Sequence, residues 1–337
     1  MKEKTTEMTS RKSGFRRALT TLCTAGAIIG LCSAAQAQTS KPLTAQWNVR
    51  DHIKPADIIV QAHRGAGAIA PENTIEAFEL GWKLHTIPEA DVRTTTDGVI
   101  VAFHDANFKR LVKNVPEEYA GKAVKDLTLA ELKKLDVGSW MGPEFAGQRA
   151  ATMEEIFIQM KHIGTRHVYL DIKDVDLQKL ADLVKKHGVN AQVILASPRH
   201  DELIEWKKMV PESDTLLWVG GKTGEEQMKK FDAARERDFE GLTQVQIHAN
   251  FAGEAKDIKR TSIDPFNVPD AYFIEAGNAV REKGILFQSL GFGVSDKDFF
   301  WKLLDLGVMS FATDYPESVR ATLEEYYTLP ADPTASK

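Results

Sequence analysis

Cysteine is nearly missing from this chain. Among 337 residues only Cys23 and Cys32 are cysteines, and both fall in the first forty. From residue 38 onward there is therefore no thiol nucleophile, no disulfide and no thiolate metal ligand. Long apolar runs are missing as well. No stretch beyond that point keeps the roughly 20 apolar residues that a membrane-spanning helix needs. Positive charge is not in excess: 43 lysines and arginines face 48 acids, for a net charge of −5. That balance speaks against nucleic acid and against anionic membrane surfaces as partners. Gly220-Gly221-Lys222-Thr223 lacks the glycine that a phosphate-cradling loop requires at position 216, where Leu216 stands, so nucleotide binding there is excluded.

What is present begins with an export signal. Arg11, Lys12, Arg16 and Arg17 form a positive start, Ala18 to Ala35 a small-residue apolar core, and Ala35-Gln36-Ala37 a cleavage site. Residues 1–37 are thus expected to be a secretory signal peptide, and the product to be secreted, into a bacterial periplasm, without a stable membrane anchor. Residues 38–56, polar with Pro42 and Pro55, read as a lead-in.

Residues 57–337 read as one domain. Their length and the chain's 43% hydrophobic content suit a single sizeable core. Apolar runs near 58–62, 87–92, 167–172, 192–196, 214–218, 242–247, 284–288 and 308–312 alternate with helical patterns. These patterns lie near 74–84, 153–162, 175–187, 200–209, 223–236, 268–282, 296–305 and 317–327. Val99 to Phe103 reads as the hairpin partner of the second strand. Eight strand–helix units predict an α/β fold, a (β/α)8 TIM barrel. Residues 106–150 interrupt the alternation as an insertion with a short helix near 128–135, placed to cover a site. Residues 249–267 form a second long loop.

Chemistry concentrates between His63 and Asp105. The first apolar run ends on His63-Arg64-Gly65, followed by Pro71-Glu72-Asn73-Thr74. Asn73 can cap the next helix, with Glu76 reaching back from its third position; Glu72 and Asn73 can equally support a nearby cation site from outside it. Glu89 and Asp91 sit two apart on the second strand and so project to one face. Two carboxylates that close call for a cation or a proton, and hard oxygen donors suit magnesium, calcium or manganese rather than zinc. Thr96-Asp97-Gly98 turns the chain, and the next run ends on His104-Asp105. Two imidazoles at strand ends beside a cation suit acid–base work. On the third barrel strand Asp171 and Lys173 repeat the alternation.

This ordered set resembles the signature of the glycerophosphodiester phosphodiesterase family: His-Arg-Gly, Pro-Glu-Asn-Thr, Glu-x-Asp, Thr-x-Asp-Gly and His-Asp. The similarity continues through Gly138-Ser139-Trp140 and Leu170-Asp171-Ile172-Lys173 to Thr313-Asp314-Tyr315-Pro316. The resemblance implies hydrolysis of a small-molecule glycerophosphodiester to glycerol 3-phosphate and an alcohol. It further implies His63 and His104 as the acid–base pair, Arg64 and Lys173 on the phosphate, and one divalent cation (calcium or magnesium) on Glu89, Asp91 and Asp171. Family members usually carry glutamate at the last of these positions. Aspartate there is similar to sphingomyelinase D-type phospholipases, which keeps a phospholipase D-like activity on lysolipids as an alternative. A non-catalytic glycerophosphodiester-binding protein is the other. Asp314 is expected to close the barrel, Trp218 to pack in the core or rim, and Gln288 to take a polar role towards substrate. His248 ends its strand near the site.

Overall fold

The computed structural model describes residues 41–253 and 257–334; the expected signal peptide, residues 1–37, lies outside the described residues. Nine strands form one sheet: β1 (Val60–Ala62), β2 (Ile87–Thr94), β3 (Ile100–Ala102), β4 (Val168–Asp174), β5 (Val193–Ser197), β6 (Asp214–Val219), β7 (Gln244–His248), β8 (Leu286–Leu290) and β9 (Ser310–Thr313). β3 pairs antiparallel with β2 as the expected hairpin. The other eight run parallel, and β1 pairs with both β2 and β9, which closes the sheet into a barrel. The fold is a (β/α)8 TIM barrel.

The helices are α1 (Ile75–Lys83), α2 (Leu129–Leu132), α3 (Met153–Met160), α4 (Leu177–His187), α5 (His200–Met209), α6 (Gly224–Glu236), α7 (Asp270–Glu282), α8 (Lys297–Asp305) and α9 (Pro316–Tyr326). All but α2 form the outer ring. The boundaries fall within two residues of those expected, except that α2 ends three residues before the expected 135. Strands tend to begin later than their apolar runs, because Ile58, Leu242 and Val308 are buried in the approach to the ladder rather than within it.

The main core lies between strands and ring helices, with Phe78, Trp206, Phe273, Phe299 and Phe311 wholly buried. The barrel interior is more polar than its strand sequences suggest. Tyr169 donates its hydroxyl to Gln244 (2.7 Å), and Gln288 reaches Gln246, Ser310 and Tyr169. Gln288 is thereby committed to the interior, which corrects its expected role towards substrate. The lead-in is no loose tail either: Val49 is fully buried and Asn48 bonds the Tyr326 hydroxyl at 2.7 Å.

The insertion builds a second small core, with Phe103, Phe108, Leu111, Tyr119, Leu127 and Leu132 all buried. Thr128 and Glu131 close a reciprocal cap on α2. A segment with its own apolar centre holds its shape and can fix side chains that it presents to the barrel mouth.

Candidate active site

Every site residue predicted above stands at the end where the barrel strands finish. On β2 the pleat turns Glu89 and Asp91 to one side, and β4 pairs in register so that Asp171 lies beside Asp91. Each of these three residues offers a carboxylate oxygen, and those oxygens all lie within 4.8 Å of one another. Glu89 and Asp91 are almost completely buried.

The cluster has graded electrostatics. Burial pushes Glu89 up to about 8, and the neighbouring charge of Asp91 adds to the effect. Asp91 sits below the usual carboxylate range: burial opposes this, but Lys173, His104 and Arg64 outweigh it. Burial raises Asp171, while Lys173 partly offsets the rise. The Lys173 ammonium lies 2.6 Å from Asp171 and 3.1 Å from Asp91. Glu89 Oε2 accepts from the Arg64 backbone N–H at 2.8 Å, yet its buried Oε1 has no hydrogen-bond partner. An orphaned buried oxygen among three carboxylates fits a hard cation.

The loop from His63 to Thr74 bends through two non-glycine residues with left-handed backbone, Arg64 (φ 54°) and Asn73 (φ 58°). Of the two roles open to Asn73, the cap is the one it does not take. Thr74, not Asn73, caps α1, its hydroxyl accepting from Ala77 N–H. A capping residue needs extended backbone, which Asn73 lacks. Its amide instead grips Asp91, donating to Oδ2 (3.0 Å) and accepting from the backbone N–H (3.2 Å).

Two histidine–aspartate pairs lie near the carboxylates, and both histidines act on Asp91. His63 Nδ1 lies 2.7 Å from Asp314 Oδ1 and His104 Nδ1 lies 2.6 Å from Asp105 Oδ1. A carboxylate only accepts, so each Nδ1 carries the proton and each Nε2 is left for other partners. Burial works against a charged His63, but the bond to Asp314 and the charge of Glu89 prevail and raise its pKa. Asp314, read from sequence as purely structural, therefore orients a site histidine; nothing local to residue 314 signals this. Arg93 holds the backbone carbonyls of Phe103 and His104.

Aromatic groups line the other side. Trp218 donates its indole N–H to Asp171 (3.2 Å) and stacks on His248 at 5.5 Å, so it is more than packing. Burial, then the positive field of His63, pushes His248 down to about 4, leaving it neutral at physiological pH. Phe292, which the sequence reading left out, is 55% exposed and meets both His248 and His63 edge-on. A cavity of about 440 Å³ adjoins His63 and Arg64, with Trp140 and Met141 of the insertion among its walls.

Residues 63–318 match the model of the Glycerophosphoryl diester phosphodiesterase family. A glycerophosphodiester phosphodiesterase of Bacillus subtilis is 28% identical over 79% of this chain and 86% of its own. Among solved structures, a glycerophosphoryl diester phosphodiesterase from Parabacteroides distasonis superposes with a TM-score of 0.60 at 19% identity, covering 86% of this chain and 96% of that one. A phosphodiesterase from Oleispira antarctica, solved with the product sn-glycerol-3-phosphate, gives 0.58 at 21% identity, covering 79% and 96%. With a barrel closed by its own strand pairing and an ordered motif set gathered at one end of it, the chain belongs to the glycerophosphoryl diester phosphodiesterase family and is a phosphoric diester hydrolase.

Proposed function

We propose that this protein hydrolyses glycerophosphodiesters to glycerol 3-phosphate and an alcohol by a cation-dependent mechanism with histidine acid–base catalysis. The observation that carries the reading is the pair of imidazoles, each oriented through Nδ1 by an aspartate, whose charges both reach Asp91 of a buried three-carboxylate cluster. Glu89, Asp91 and Asp171 would hold one calcium or magnesium ion, whose chemistry is to neutralise charge growing on a phosphate oxygen.

The chain's own groups do the rest. Arg64 offers a guanidinium whose buried Nε has no hydrogen-bond partner, and a planar fork suits a phosphate. Lys173 supplies a second positive charge beside it. His63 and His104 share the two proton transfers: one imidazole takes a proton from the attacking water, or from the substrate's glycerol hydroxyl on a route through a cyclic phosphate that water then opens, and the other gives one to the leaving alkoxide. The product complex of the Oleispira relative supports the substrate class. Residues 1–37 we read as an export signal that delivers a single barrel domain to the periplasm; the N-terminal mass of protein recovered from that fraction tests it.

The deciding experiment measures glycerol 3-phosphate release from glycerophosphocholine, with and without chelator, alongside His104→Ala. Release that stops on chelation, returns with calcium or magnesium and vanishes in the variant is expected. Folded protein that releases nothing with either ion overturns the assignment.

A further inference from the structure

The geometry points to Arg110 as a positioning residue for His104, acting through Asp105; this rests on the acid–base reading of His104 above. Arg110 lies at the start of the insertion, where the first residues after β3 leave the barrel. Its neighbours Phe108 and Leu111 are buried in the insertion's own core. The backbone at 110 is thus held between two apolar anchors, and the guanidinium projects back toward the barrel mouth.

There it joins two carboxylates from different segments. Nε and Nη2 donate to Asp105 Oδ2 and Oδ1, both at 2.8 Å. Nη1 and Nη2 donate to Glu72 Oε2 and Oε1 at 2.6 and 2.7 Å. Each acid is therefore gripped bidentately, and one Nη2 serves both. Glu72 is the fixed end: it is 7% exposed and also accepts from Arg64 at 3.0 Å. Asp105 is the adjustable end, at 20% exposure on a loop. Its Oδ1, held by Arg110, is the same oxygen that His104 Nδ1 bonds.

Two consequences follow. The direction in which His104 presents Nε2 depends on a carboxylate whose own orientation Arg110 sets. Two neighbouring acids also repel each other without the cation that they share. A lysine would restore the charge but not the fork, because an ammonium cannot hold two carboxylates bidentately.

The test uses the whole protein and steady-state kinetics on glycerophosphocholine. Arg110→Ala is expected to lower kcat by about 10- to 100-fold, the scale on which outer supporting partners act, with KM shifted less. Arg110→Lys should recover thermal stability but little of kcat. Guanidinium chloride at tens of millimolar, below denaturing concentration, should restore part of kcat in Arg110→Ala and none in wild type. In an Asp105→Asn background, Arg110→Ala should cost less than about two-fold more, since the route is already broken.

A kcat within two-fold of wild type in a folded Arg110→Ala or Arg110→Lys protein overturns the inference. So does an undiminished Arg110→Ala cost on the Asp105→Asn background, which would make Arg110 a scaffold for the insertion only. If Arg110→Ala does not fold, the lysine variant decides. His104→Ala separates the two levels: turnover surviving in it sinks the acid–base reading itself. Turnover lost there but kept in the Arg110 variants sinks only this inference.

Discussion

The two histidine–aspartate pairs do the same local thing by different means. In both, a carboxylate accepts from Nδ1 and leaves Nε2 for other partners. His104 pairs with the next residue in the chain, and the pair is steadied from the insertion by Arg110 and from β2 by Arg93. His63 pairs with Asp314, 251 residues away, and the bond exists because β1 and β9 lie side by side in the closed barrel. Asp314 is itself seated by backbone contacts: its carbonyl accepts from Ala68 N–H at 2.7 Å, and its second carboxylate oxygen accepts from Gly293 N–H. His63 is the less exposed ring, 18% against 34%. One pair depends on barrel closure and the other on a loop and its braces.

The strongest way to break the comparison is to remove the rings. His63→Ala and His104→Ala should each lower kcat by about 10²- to 10⁴-fold in steady-state assays, with circular dichroism unchanged. The double variant should be scarcely slower than the worse single one, because groups acting in one reaction are not additive. A loss below ten-fold in either single variant would show that the pairs are not equivalent partners.

Changing the aspartates asks which means of orientation matters more. Asp314→Asn should cost about 10²-fold in kcat, the scale of a misplaced reacting group. Asp105→Asn should cost less, since Arg93 still fixes the His104 backbone. The reverse order would mean that the loop pair is the more finely held one.

Gly67→Ala reaches the first pair without touching either of its side chains. Gly67 has φ +67°, and a Cβ there would overlap the Asp314 backbone carbonyl. Displacing Asp314 in this way should lower stability by about 1–3 kcal/mol and reduce kcat more than KM, as read by thermal melts and kinetics. Unchanged kcat in a destabilised protein would detach Asp314 from catalysis.

The smallest effect is the pH dependence of the His63–Asp314 pair, followed in chelator. The carboxyl of Asp314 is held low; burial opposes this, but the His63 bond and charge win. That half of the pair stabilises above the unfolded aspartate value of about 3.9. His63 is held high, so its half is full below about 6.5 and fades as pH rises through its folded pKa. The melting-temperature gap between wild type and Asp314→Asn should therefore be widest near pH 5–6 and narrow by pH 9. A gap that widens with rising pH would contradict a raised His63.

How much of this was readable in the chain follows from the range of each interaction. The Glu89–Asp91 spacing and the His104–Asp105 step are local, and strand periodicity suffices to place them. Asn73 suits a cap and a supporting role equally by its letter, and the left-handed turn that hands its amide to Asp91 depends on two segments meeting. Trp218 and Gln288 show the same limit. Both lie on barrel strands, yet one bonds Asp171 and the other closes an interior network. Which neighbour each finds depends on the register of adjacent strands, and periodicity within one strand carries no register.

Residue order alone carries the alternation that makes a barrel, the absence of thiol chemistry from residue 38 onward, and the ordered acids and histidines at the strand ends. These are matters of residue type and short spacing, which the backbone's own periods of 3.6 and 2 translate into faces. Only the tertiary structure decided that Asp314 turns His63, that Arg110 yokes Glu72 to Asp105, and that Phe292 stands at the mouth. Each of these depends on which distant segments barrel closure and the insertion's core bring within a few ångströms, and side-chain bonds have no reach beyond that distance.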